Sequence, residues 1–336
     1  MEADESVQKM KALVTGAAGF IGSHLCDSLL EKGYEVTGID NLVVGRKENL
    51  NLSFTHGKFS FFEKDIRSNL NEIENDFDVI FHLAALADIV PSITNPSDYF
   101  SCNVEGTLNI MEFARKHSIP KVIYSASSSC YGIPEKFPTD ENAKINPEYP
   151  YALTKLIGEE IVLHWGKVYG IDVTSLRFFN VYGPRARTSG AYGAVFGVFL
   201  AQRLAGEPLT IVGDGEQTRD FTYVSDVVSA LIESNRHSLA NKIYNVGSGK
   251  TNSVNYLASL IGGKKLHIPK RPGEPDCTFA DISRIKKDLG WIPQTSFDRG
   301  VELMLERISD WEKAPIWDIE SIRDATSDWF KYLGRK

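Results

Sequence analysis

The sequence predicts an α/β fold, a doubly wound parallel sheet with helices on both faces, followed by a smaller C-terminal substrate-binding lobe. Three observations carry this. Short apolar runs alternate with helix-like stretches through the first half of the chain, the pattern of strands joined by helical crossovers. A glycine-rich turn sits directly between the first strand and the first helix. After about Phe179 glycine and proline become frequent, as loops and short elements require.

The elements follow in order. Residues 1–10 read as a loose leader, and Lys11 to Thr15 as the first buried strand. Further strands are expected at Glu35–Ile39, Phe59–Phe62, Val79–Leu83, Val122–Tyr124 and Val173–Leu176. Helical patterns fall at Ile21–Leu30, Tyr99–Lys116 and Tyr151–Tyr169, and later at Val224–Asn235, Val254–Ile261 and Arg299–Trp311. The expected division is residues 11–178 as a dinucleotide-binding domain and 179–336 mainly as a substrate lobe, with some segments returning to the first domain. Open α/β sheets leave their ligand crevice at the carboxyl ends of the strands, which the smaller lobe would cover.

Composition narrows the partners. A net charge of −7 leaves no basic surplus to neutralise a nucleic-acid backbone. It leaves room for a phosphate-bearing small molecule, which needs only a few local donors. No apolar run approaches membrane-spanning length, and the start MEADESVQKM is acidic and polar, unlike a secretory signal. Cys26, Cys102, Cys130 and Cys277 are scattered, without a C-x-x-C pair or zinc-like spacing, so reduced thiols, no metal and a cytoplasmic setting are expected.

Gly16-Ala-Ala-Gly19-Phe-Ile-Gly22 has the spacing G-x-x-G-x-x-G. Small residues there let the backbone turn tightly and approach a pyrophosphate, whose charge then sits at the positive end of the following helix. Taken alone, the motif also suits a tight strand-to-helix turn with no ligand. Asp40 closes the second strand eighteen residues beyond Gly22, the place where a carboxylate accepts hydrogen bonds from the adenosine ribose. This Rossmann-type arrangement favours NAD over NADP, because a carboxylate repels a 2′-phosphate. Arg46 nearby pulls slightly the other way, and a turn or cap is the alternative role for Asp40.

Tyr151-Ala-Leu-Thr-Lys155 places a phenol and an ammonium at i and i+4, on one helix face. A tyrosine of ordinary pKa, roughly 10, is a poor base near neutrality. A nearby cation together with the nicotinamide charge would bring it down, so that Tyr151 takes a hydroxyl proton while the carbon gives hydride. Lys155 would tune Tyr151 and hold the nicotinamide ribose. The run Tyr124-Ser-Ala-Ser127-Ser128-Ser129-Cys-Tyr131 follows a strand. Hydroxyls there either bond the reacting oxygen or serve as caps and turns.

Together these motifs resemble the extended short-chain dehydrogenase/reductase family, in particular its nucleotide-sugar 4-epimerases, from about Lys11 to Trp291. His82-Leu83-Ala84-Ala85, Arg177-Phe-Phe-Asn180-Val-Tyr-Gly-Pro184, Gly213-Asp-Gly-Glu-Gln-Thr-Arg219-Asp220 and Arg271-Pro-Gly-Glu274 extend the match. The resemblance implies Ser127, Tyr151 and Lys155 as catalytic residues. It implies a cofactor site of Gly16, Gly19, Phe20, Ile21, Gly22, Asp40, Asn41, Asp65, Ile66, Leu83, Ala84, Ala85, Asn103, Ser125 and Phe178, with Tyr151 and Lys155, and Asp65-Ile66 beside the adenine. On the substrate side it implies Ser127, Ser128, Ser129, Tyr151, Asn180, Ala194, Val195, Arg219, Arg271 and Thr278. Two arginines and an amide donor suit a diphosphate, although each arginine alone also suits a surface ion pair. Thr278 would leave room for an N-acetyl group at the sugar's C2, or simply pack in a strand.

The family holds several chemistries. Similar 4,6-dehydratases carry an Asp-Glu pair after the catalytic hydroxyl, where this chain has Ser128-Ser129, and serine cannot serve as the acid of an elimination. The expected activity is therefore NAD-dependent C4 epimerisation of a UDP-hexose or UDP-N-acetylhexosamine through a 4-keto sugar. Another nucleotide-sugar conversion, for example of a GDP-sugar, is the nearest rival, and a non-catalytic NAD(P)-sensing regulator the rival of a different class. The resemblance also implies a homodimer built as a four-helix bundle from Tyr99–Lys116 and Tyr151–Tyr169.

Overall fold

The computed structural model describes residues 10–73, 76–187 and 194–334; the expected leader lies outside them except for Met10. Seven strands form the central sheet: β1 (Lys11–Thr15), β2 (Glu35–Asp40), β3 (Phe59–Glu63), β4 (Val79–His82), β5 (Lys121–Ser127), β6 (Asp172–Phe178) and, much later in the chain, β11 (Lys242–Val246). All pairings are parallel, in the order β11-β6-β5-β4-β1-β2-β3. The order reverses beside β1, so the ends of β1 and β4 diverge there and open the crevice that such sheets use for ligands.

Strand alternation decides which helix covers which face. Ala12 and Val14 of β1, with Val79 and Phe81 of β4, join one core with Leu25 and Leu29 of α1 (Phe20–Glu31). Leu13 and Ile80, one residue out of phase, join the other, with Ile110 and Met111 of α4 (Gly106–Lys116) and Val162 of α5 (Pro150–Tyr169). Both faces are dry, and these strands read as continuous apolar runs for that reason. Pro150 occupies the first turn of α5, where its missing N–H costs nothing, and Gly170 ends the helix with φ +72°.

Between β4 and α4 lie α2 (Ile89–Thr94) and α3 (Pro96–Phe100). The expected single helix Tyr99–Lys116 is interrupted: a π-helical turn at Ser101–Glu105 joins α3 to α4. Asn103, on that wider turn, is buried and donates to Leu86 O (3.0 Å) and Thr154 Oγ1 (3.0 Å) while its Oδ1 accepts from Leu86 N–H (2.8 Å). The irregular turn thus ties the strand-end loop to the first turns of α5.

Beyond β6 the chain continues through β7 (Asn180–Tyr182), α6 (Val195–Ala205), β8 (Leu209–Val212), β9 (Thr218–Arg219), β10 (Phe221–Tyr223), α7 (Val224–Arg236), β12 (Asn252–Ser253), α8 (Val254–Ile261), β13 (Lys265–Ile268), α9 (Ser283–Leu289) and α10 (Phe297–Glu306), most of them in a second lobe; α9, through Ile285 and Leu289, joins the core of α1 and the sheet. The helix expected at Arg299–Trp311 ends at Glu306, and Ile308–Trp311 is a 3₁₀ turn. The chain closes with α11 (Ile319–Ala325) and α12 (Ser327–Leu333). The lobe has its own aromatic core, in which Tyr182 stacks on Phe196 at 4.3 Å and Phe221 on Phe297 at 5.1 Å. α7 belongs to the sheet instead, packing beside α1 through Val227, Val228 and Leu231. No helix among the described residues is long and apolar enough to cross a membrane. All four cysteines are free thiols.

Candidate active site

A cavity of about 710 Å³ runs from the glycine turn, past the ends of β4 and β5, to the second lobe. Gly16 has φ +72°, and a Cβ there would lie 2.8 Å from Ala84 N, so the turn presses directly against the end of β4. At Gly22 a Cβ would lie 2.0 Å from Gly16 O, so a side chain would push the turn off the helix. The helix begins at Gly19 without a side-chain cap and without an acidic residue in its first turn. Its positive end therefore stays open to an anion.

Asp40 stands beside this turn. Its carboxylate accepts from Ala18 N–H (3.0 Å) and Leu42 N–H (2.8 Å). Burial raises its pKa and these N–H groups oppose the rise. Asn41 donates to Asp65 (2.8 Å), whose pKa is held well below the usual range mainly by Arg67. The Arg46 guanidinium reaches Asn49 Oδ1 (3.4 Å) and the backbone O of Arg185 (3.5 Å). Gly16, Gly19, Phe20, Ile21, Gly22, Asp40, Asn41, Ile66, Leu83, Ala84, Ala85, Ser125 and Phe178 all line the cavity. Asp65 and Asn103 stand behind it, orienting Asn41 and the Leu86 backbone respectively. A close backbone approach, an open helix N-terminus and a carboxylate at the end of β2 are what an adenine dinucleotide requires, and the residues present fit NAD.

At the far end of the same sheet edge, β5 delivers Ser127 and the first turn of α5 delivers Tyr151. Tyr151, Ser127, Ser129 and Tyr149 line one stretch of the cavity, and Ser127 Oγ lies 2.8 Å from Ser129 Oγ. Ser127 also caps the turn Ser128–Tyr131, accepting from Ser129 N–H at 3.2 Å, the capping role open to a serine at this place. Desolvation raises the Tyr151 pKa, opposed by the Ser127 hydroxyl. Lys155 is buried, its ammonium 4.2 Å above the Tyr124 ring, and burial lowers its pKa to about 7. The protein's own residues thus leave the phenol protonated at neutral pH.

The Arg177 of the expected motif is structural. It pairs with Glu159 of α5 at 2.6 Å, both buried, and donates to Tyr131 OH at 2.9 Å. Tyr131 in turn donates to Asn245 on β11 at 2.7 Å. This network fixes α5, and so Tyr151 and Lys155, against β6 and the serine turn.

Across the cavity stand Asn180, Ala194, Val195, Arg219, Arg271 and Thr278, all lining it together with Ser128 and Ser129. Glu274 gathers the two arginines, 2.8 Å from Arg219 and 3.9 Å from Arg271. Thr278 Oγ1 donates to Asn180 Oδ1 (2.7 Å) and accepts from Asp220 N–H (3.1 Å). Sequence reasoning missed four contributors. Asp88 and Arg187 face the cavity as an ion pair. Tyr149 lines the cavity two residues before Tyr151, and no motif marks it. Trp329 reaches the cavity from α12, and nothing local in its sequence signals that.

The sequence profile of the NAD dependent epimerase/dehydratase family matches residues 12–247, and the chain belongs to that family. A UDP-glucose 4-epimerase of Mycolicibacterium smegmatis is 37% identical over 308 residues, 88% of this chain and 98% of the relative. The crystal structure of a UDP-glucuronic acid 4-epimerase from Bacillus cereus, in complex with UDP-glucuronic acid and NAD, superposes with a TM-score of 0.83 at 34% identity, covering 89% of this chain and 99% of that one. A UDP-N-acetylglucosamine 4-epimerase from Methanobrevibacter ruminantium, in complex with UDP-N-acetylmuramic acid, gives a TM-score of 0.84 at 33% identity, covering 90% and 100%.

Proposed function

We propose that this enzyme interconverts C4 epimers of a UDP-linked hexose or N-acetylhexosamine. The observation that carries the reading is that Tyr151, Lys155 and Ser127 line the NAD-fitting cavity together, with two serines after Ser127 where an elimination would need carboxylic acids. When bound, NAD accepts hydride from C4 and returns it. Ser127 holds the C4 oxygen beside Tyr151, whose phenolate takes its proton and later gives it back. Lys155, with the positive nicotinamide ring, supplies the charge that opposes desolvation of Tyr151. Arg219, Arg271 and Asn180 hold the diphosphate end, and the sugar turns between the two hydride transfers. The 4-epimerases among its relatives support this reading.

In the same reading residues 11–178 carry NAD and the chain beyond them carries the nucleotide sugar, with Lys242–Val246 returning to the sheet. The α4/α5 face, with Leu108, Leu153, Val168 and Tyr169 exposed, pairs with its copy as a four-helix bundle in a cytoplasmic homodimer. The test is incubation of purified protein with a panel of nucleotide sugars, without added cofactor, followed by NMR. Interconversion of C4 epimers is expected. A panel left unchanged, or a 4-keto-6-deoxy product, sinks the reading.

A further inference from the structure

The last two helices lie beyond the stretch that the family profile matches. The relatives are covered over 98–100% of their own length, yet they span only 88–90% of this chain. This terminal segment is built in firmly. Buried Gln202 donates to Trp317 O at 2.6 Å. Asp318 and Ser321 form a reciprocal capping box that starts α11. α12 then packs against α2, beside the catalytic helix.

Trp329 is the residue that this placement delivers. It is buried to 3% exposure and lines the cavity. Its indole N–H donates to Pro272 O at 2.6 Å, directly after Arg271. The Arg271 guanidinium lies 5.6 Å from its ring centroid, with Glu274 on another side at 3.9 Å. The Tyr149 ring lies 6.4 Å from the same indole and also 6.4 Å from the Tyr151 ring.

We infer that the C-terminal segment is a working wall of this active site, through Trp317 before α11 and Trp329 on α12, and that Trp329 is a positioning residue for nucleotide-sugar binding, holding Arg271 in place to meet the diphosphate. The inference rests on the nucleotide-sugar reading above. A free arginine must lose much rotamer freedom when it binds an anion. An indole face on the guanidinium, and an indole N–H on the next carbonyl, remove that freedom before the ligand arrives.

Two apolar replacements separate this role from packing. Trp329→Leu fills space without a π face, whereas Trp329→Phe keeps the face and loses the N–H. Calorimetric titration with UDP should show Trp329→Leu binding roughly thirtyfold more weakly than wild type, the size of a desolvated cation–π contact, with Trp329→Phe recovering most of the loss. Bound NAD and the thermal midpoint should match between the two variants, and the KM for a turned-over UDP-sugar should follow the UDP affinity. Equal UDP affinity in the wild type and both variants overturns the inference alone, as does an equal loss in both variants. A wild-type protein that binds no UDP overturns the inference and the nucleotide-sugar reading together.

Discussion

Tyr151 sits between two opposing influences, desolvation that keeps its proton and the Ser127 hydroxyl that eases its release. Tyr151→Phe removes the transferable proton and leaves the glycine turn and Asp40 untouched. Turnover should fall by roughly 10²–10⁴-fold while NAD stays bound, and near-wild-type rates would refute the assignment. Thr278 shows how a site residue is held: its hydroxyl is shared between Asn180 and the Asp220 backbone. Thr278→Tyr should depress activity on an N-acetylated UDP-sugar much more than on the plain hexose, measured side by side; equal losses would remove Thr278 from the sugar pocket. His82 is fully buried between Thr15 and Thr107 at 2.7 and 2.9 Å, and burial lowers its pKa to about 3 from 6.5. The unfolded chain therefore binds this proton more readily than the folded one. Stability is complete above about pH 6.5 and drains away as the pH falls towards 3, at about 1.4 kcal/mol per unit. His24, lowered to about 4, adds to the same acid limb. Denaturant melts at pH 7 and pH 4 should differ less for His82→Gln than for wild type.

Among the elements, α5 and β6 are joined by more than apolar contact. Glu159 is buried and accepts from Arg177 and from Ser175 at 2.7 Å. Glu159→Ala leaves the guanidinium buried and unpaired, and should cost about 3–5 kcal/mol of unfolding free energy, a typical penalty for breaking such a pair. Urea melts check the figure, and a loss below 1 kcal/mol would show that water relieves the arginine. Elements of this kind were legible when their apolar period was unbroken or a motif marked their ends: β1 with its glycines, α1, β5 with its serines, α5 with Pro150. β11 was not, because Lys242-Ile-Tyr-Asn-Val is too short to separate from loop by periodicity. The π turn at Ser101–Glu105 escaped because its residues read as ordinary helix. Much of the cavity lining was visible because it falls in short strings of sequence, Gly16–Gly22, Leu83–Ala85 and Ser125–Ser129 among them. Tyr149 and the Arg187–Asp88 pair were not, since their meaning depends on neighbours that only the fold supplies.

For the molecule as a whole, the return of β11 has a consequence for how the protein is made. The chain leaves the sheet at Phe178 and lays down β7 to α7 before Lys242–Val246 pairs with β6. Until Val246 has left the ribosome, the nascent chain holds β6 as an open strand edge carrying Val173, Leu176 and Phe178. The same interval leaves the outer side of α1 without Val227, Val228 and Leu231 of α7. The first domain is thus a late-closing one, exposed to mispairing for the time its returning segment takes to be synthesised. A fragment ending at Phe178 should aggregate where the full chain stays dispersed. Light scattering during refolding of the two would show it, and a monomeric, NAD-binding fragment would mean that the sheet completes itself without its seventh strand.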